Sequence, residues 1–224
     1  MHVLDLLAWI GAGISWWGTA RYMVGIAKEG AQPRLASWIA WAAANGVLMV
    51  VAIINDMPVA AIFNGLAALG NISVLVLSAI KRAGQRPEGT TDWACLTTAG
   101  LCLLTIALFP HLTMLGAVLA MVANLVATWP TMLHAWRRPK EETWQLFAAN
   151  GGANMLGLVS VTAASGAGLA SIAGPLISMI GNLALVTITV GCTWLLKIAE
   201  EVEEEALEIK EVLTHPQASA TETE

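Results

Sequence analysis

Charge is what this sequence has least of. Asp, Glu, Lys and Arg make up 12% of its 224 residues, against roughly 25% in soluble domains. A soluble domain of this length hides its core behind a charged surface, so that class is set aside first. Cysteine is scarce: Cys95, Cys102 and Cys192 form no CxxC and no Cys/His spacing, which removes a disulfide scaffold and a metal centre and leaves three small apolar residues. No HExxH and no GxSxG occurs, so no enzyme and no cofactor is expected. The middles of the apolar runs hold no carboxylate, since Asp5, Asp56, Glu88 and Asp92 fall near their ends. A proton-driven carrier normally places an ionisable group at mid-depth, so a passive mode is expected. Lys197 sits too close to the end of the last run for a buried retinal Schiff base.

What is present is apolar and continuous. The chain is 57% hydrophobic with a mean hydropathy of +0.68. Crossing a hydrocarbon layer of ~30 Å takes about 20 helical residues. Seven runs meet or approach that length, over 3–26, 35–54, 59–80, 93–109, 112–136, 143–165 and 168–196. The fourth is the shortest and can be extended only through Thr90, Thr91 and Asp92.

Lys and Arg collect in cytoplasmic loops. Arg21, Lys28 and Arg34 flank the first connection, Lys81, Arg82 and Arg86 the third, Arg137, Arg138 and Lys140 the fifth, and Lys197 and Lys210 follow the last run; the second, fourth and sixth connections hold none. This alternation predicts an N-terminus outside and a C-terminus in the cytoplasm. Residues 1–199 carry a net +3 and residues 200–224 a net −8. The acidic tail repels nucleic acid and anionic lipid. From Glu200 to Glu211 it reads as a cytoplasmic extension of the seventh helix, and beyond His215-Pro216 its composition is that of a disordered end.

An internal repeat follows from matched offsets. Pro33-x3-Ser37-Trp38-x2-Trp41 opens the second helix and Pro139-x3-Thr143-Trp144-x2-Phe147 the sixth, while Gly70-Asn71 and Gly181-Asn182 lie in the middle of the third and seventh. The expectation is an all-α polytopic membrane protein of two parallel three-helix repeats, 1–82 and 112–199, joined by a linker helix over 91–109. In this 3+1+3 arrangement, residues 200–224 stand apart as the tail.

That arrangement resembles the PQ-loop superfamily, most closely the SWEET sugar facilitators, with the nicotinamide-riboside carriers as a second branch of similar architecture. The segment from Tyr22 to Trp41 also resembles bacterial PQ-loop-like membrane proteins. The Pro-Gln signature is degenerate: the fifth helix has Trp129-Pro130-Thr131, with Thr where the family has Gln, and the first reads Thr19-Ala20-Arg21-Tyr22 with no proline. The resemblance implies Pro130 as a hinge. It also implies that the mid-helix asparagines Asn71 and Asn182 face the substrate.

Depth supplies further candidates. Asn45 and Asn154 also lie near the midplane, and each amide offers donors and an acceptor that suit hydroxyls or amides of a neutral solute. The competing reading is that such an Asn ties its helix to a neighbour. Asn150, Asn64 and Asn124 are read as packing, the last having no counterpart. Trp38, Trp93, Trp136, Trp144 and Trp194 are assigned to an interfacial aromatic belt, and His134 to an interfacial role beside the basic loop. Trp16, Trp17, Trp41 and Trp129 lie deeper and are candidates for an aromatic face over a sugar ring, Trp16 and Trp41 first among them, with lipid contact or packing as the alternative.

The function expected is a facilitator of a small neutral polar solute, a sugar among the candidates, in a multi-pass cell membrane of the bacterial inner-membrane kind. The lipid bilayer is its other partner, nucleic acid is not one, and a homo-oligomer is left open. The alternatives are a vitamin or nucleoside carrier and a non-transporting scaffold whose acidic tail docks a cytoplasmic partner.

Overall fold

The computed structural model describes residues 3–163 and 169–214; the sixth connection, around Gly166–Gly168, and the segment from His215 onward lie outside them. Among the described residues the chain is all-helical. α1 spans Val3–Val24 and runs into a π-helical turn over Gly25–Glu29. α2 spans Leu35–Ile54, α3 Pro58–Lys81, α4 Thr90–Leu108, α5 Thr113–Arg137, α6 Trp144–Ala163 and α7 Leu169–Thr214. A 3-10 turn, Pro139–Glu141, leads into α6.

Local chemistry sets these limits. Gly30, at φ 77°, ends the turn after α1 in the left-handed region that lacks a penalty only for glycine. Pro58 occupies the first turn of α3, where its missing N–H costs nothing. α4 begins at Thr90, so the short fourth run does recruit its polar flank.

Five helices, α2 to α5 and the Gly174–Leu207 stretch of α7, are long and apolar enough to cross a membrane. Their outward faces carry large apolar side chains such as Leu69, Val76, Leu101, Leu125 and Ile180, each more than half exposed apart from any lipid. In water each would be a liability, so this is a membrane protein whose surface is solvated by hydrocarbon.

The connections before α2, α4 and α6 share one end of the bundle. Arg34 Nη1 donates to Gln85 Oε1 at 2.6 Å, and Gln85 Nε2 to Glu141 Oε2 at 3.4 Å. α7 reaches the same end, where Lys140 pairs with Glu200 at 2.7 Å, and its acidic continuation runs on as helix to Thr214.

Helix pairing follows a regular scheme. α1 packs on α3 and α6, α2 on α3 and α5, α5 also on α7, and α6 on α7. Exchanging α1, α2 and α3 with α5, α6 and α7 carries each of these pairs onto another of the set. α4 packs only on α2 and α5 among the described helices. Close approach of α1 to α6 depends on small residues: a Cβ at Gly18 would lie 2.5 Å from that of Ala149, and one at Gly11 3.1 Å from the Ala153 carbonyl.

Candidate functional site: a polar cavity between six helices

All helices except α4 contribute to one cavity of ≈ 80 Å³, room for a small cluster of waters or one compact solute. No residue lining it is charged.

Six residues singled out from sequence, Trp16, Trp41, Asn45, Asn71, Asn154 and Asn182, all line this cavity. Pro130 does not; it is buried inside an unbroken α5. Proline cannot donate to the carbonyl four residues back. Here that group, the Val126 carbonyl, instead accepts the Cys95 thiol of α4 at 3.3 Å.

The asparagines divide by what they bond. Asn45 donates to the Trp41 carbonyl at 2.8 Å, Asn154 to that of Asn150 at 2.7 Å and Asn182 to that of Ser178 at 2.8 Å. Each bond stays within one helix, so these three amides do not tie helices together. Among the described residues Asn71 makes no side-chain hydrogen bond, and the buried Nε1 of Trp16 has no partner. A buried donor without an acceptor is costly, which makes the cavity a place where a polar guest recovers lost free energy.

Tying falls to two residues read as packing from sequence. Ser15 donates to Asn150 Oδ1 at 2.6 Å, joining α1 to α6. Asn124 donates to Ser178 Oγ at 2.9 Å, joining α5 to α7, and its carbonyl accepts Trp41 Nε1 at 3.4 Å, joining α5 to α2. Both asparagines also line the cavity, which sequence reasoning missed. Asn124 has a counterpart after all in Ser15: Thr19 bonds the Ser15 carbonyl and Thr128 that of Asn124, each at 3.0 Å, while Thr19 faces Gly70 and Thr128 faces Gly181.

The matched offsets around Trp38 and Trp144 do not give these two tryptophans the same environment. Trp38 is buried and Trp144 exposed, so they are not equivalent; the buried match for Trp38 is Phe147, three residues further on. The 3-10 turn after Pro139 takes up the difference, whereas Pro33 stands two residues before α2 begins. Trp38 is likewise no belt residue. It sits 5.0 Å from the Tyr22 ring and 5.4 Å, edge-on, from Trp41. With Tyr22, Leu146, Phe147 and Leu185 it forms a fully buried apolar floor between the cavity and the end that carries the basic connections. Trp93, Trp136, Trp144 and Trp194 do face outward.

Below the floor lies a buried polar layer. His134 and Asp92, read as interfacial, are both buried; Asp92 pairs with Arg34 and also accepts from the Glu88 N–H at 2.8 Å. Glu142 is buried too, accepting from the Tyr22 hydroxyl at 3.2 Å.

Compared with protein-family models, curated proteins and solved structures, the chain matches none of them. The site therefore rests on its own geometry.

Proposed function

We propose that the protein is a membrane facilitator of a small neutral polar solute, held in the cavity between two three-helix units and passed on as one unit rocks against the other. The observation that carries this reading is the cavity itself. Uncharged amides and indoles from both sets of helices converge there; the buried Trp16 Nε1 has no hydrogen-bond partner among the described residues, and Asn71 shows no side-chain hydrogen bond among them. Amides and indole N–H groups complement hydroxyls, and aromatic faces cover the apolar side of a sugar-like ring. The lining offers no charge to hold an ion.

In this reading all seven helices cross the bilayer in the 3+1+3 arrangement of PQ-loop proteins, with α4 as the linker. The pairing scheme supports it, because exchange of the two triplets preserves it while α4 stands outside. Gathering of the basic connections at one end supports an N-terminus outside and a C-terminus in the cytoplasm, as in a bacterial inner membrane.

Purified protein in liposomes, assayed with labelled sugars and nucleosides, tests the proposal. Saturable uptake that falls when Asn71 and Asn182 are replaced by Ala is the expected result. No uptake of any such solute, with the double variant altering only thermal stability, would remove it. The scaffold alternative draws on the exposed acidic stretch of α7 and is separated by deleting 200–224: transport survives that deletion, docking does not.

A further inference from the structure

We propose that Glu142 is a proton-binding site built into the closure at the basic end of the bundle, and that opening this closure releases the proton to water. The inference holds whether or not the cavity carries a solute.

The carboxyl of Glu142 is 1% exposed and lies between the 3-10 turn and the start of α6. An ionised carboxylate asks for several donors, whereas an un-ionised one is content with few. Glu142 finds a single donor, Tyr22 of α1, and its Oε1 has no hydrogen-bond partner. The surrounding charges are engaged elsewhere. Arg34, at the start of α2, is committed to Asp92 of α4 and to Gln85. Arg138 pairs with Glu141 at 3.2 Å, Lys140 with Glu200 of α7, and Arg21 of α1 with Glu29 at 2.9 Å. Lys81 and Arg82, at the end of α3, are exposed. From α5, His134 Nε2 stands 3.9 Å from Glu142 and 3.4 Å from Glu141, making no hydrogen bond to either.

Burial therefore pushes the Glu142 carboxyl up to about 8, with the neighbouring Glu141 adding to the rise and the Tyr22 hydroxyl and Arg34 opposing it. Tyr22 also belongs to the apolar floor. Tyr22–Glu142 thus spans the two helix triplets, and any movement that parts α1 from the α5–α6 connection lets water reach the acid. The balance is simple: the acid O–H breaks, its proton goes to water at that end, and a solvated carboxylate remains. A group whose value is raised in the closed state favours closure below its ordinary value, ~4.3. That advantage declines as pH rises and is lost above about 8.

Infrared difference spectra of the full-length protein in lipid, recorded along a pH titration, read this directly through the carbonyl stretch of an un-ionised carboxylic acid. The band should persist to neutral pH, vanish with a midpoint at about 8, and be absent from Glu142→Gln while Glu141→Gln retains it. Should Glu142→Gln fail to fold, Tyr22→Phe serves instead, since loss of the opposing donor moves the midpoint upward. A band already lost by about pH 5, one that survives in Glu142→Gln, or a midpoint unmoved in Tyr22→Phe overturns the proposal.

Discussion

Asn71 and Asn124 differ in what their removal costs. Among the described residues Asn71 has no side-chain hydrogen bond to lose, so Asn71→Ala should change the stability read from a thermal melt by no more than about 0.5 kcal/mol. Its effect should fall on uptake, by about tenfold for one hydrogen bond to a neutral solute. Asn124→Ala removes the tie to Ser178 and should destabilise by about 0.6–2 kcal/mol in a detergent melt. Cys95→Ala leaves the Val126 carbonyl beside Pro130 without its thiol donor and should cost about 1 kcal/mol by the same measurement. The midplane asparagines were legible in the sequence because an amide inside an apolar run has few places to go. Asn124 and Asn150 were not. Ser15, which stands to Thr19 as Asn124 does to Thr128, has other chemistry, and matching of identical residues passes over it.

At the scale of elements, hydropathy alone placed six helices to within a few residues, because each run ends where proline, glycine or charge interrupts it. The burial of Trp38, Asp92, His134 and Glu142 was not legible. All four stand near helix ends, where an aromatic belt and solvated charge are the ordinary expectation, and only the meeting of three connections at one end removes them from solvent. The α1–α6 contact yields a separate prediction. Gly18→Leu places a branched side chain where a single Cβ already lies 2.5 Å from Ala149, so the two helices must part. The variant should lose the folded population, read as a collapse of the monodisperse peak in size-exclusion chromatography. Gly13→Ala, on the same helix with nothing within 4 Å of the added atom, should behave as the parent.

For the whole molecule, transport by rocking requires that contacts between the two triplets change. Ser15 and Asn150 lie across that boundary, with their side-chain oxygens 2.6 Å apart. In a Ser15→Cys/Asn150→Cys variant, oxidation should arrest solute movement and reduction restore it, each single variant being insensitive to both treatments. Retained uptake after cross-linking would argue for a pathway that needs no relative movement of α1 and α6. The Lys140–Glu200 contact between the acidic end of α7 and the bundle is an exposed ion pair worth ~0–1 kcal/mol.

The position of α4 has one more consequence. Among the described helices it rests only on α2 and α5 and leaves the cavity untouched, and Gly89 just before it is exposed, at φ 93°. Its covalent continuity with α3 is then dispensable to assembly. Two polypeptides expressed from separate reading frames, divided at Gly89, should find each other in the membrane and co-purify as a stoichiometric pair.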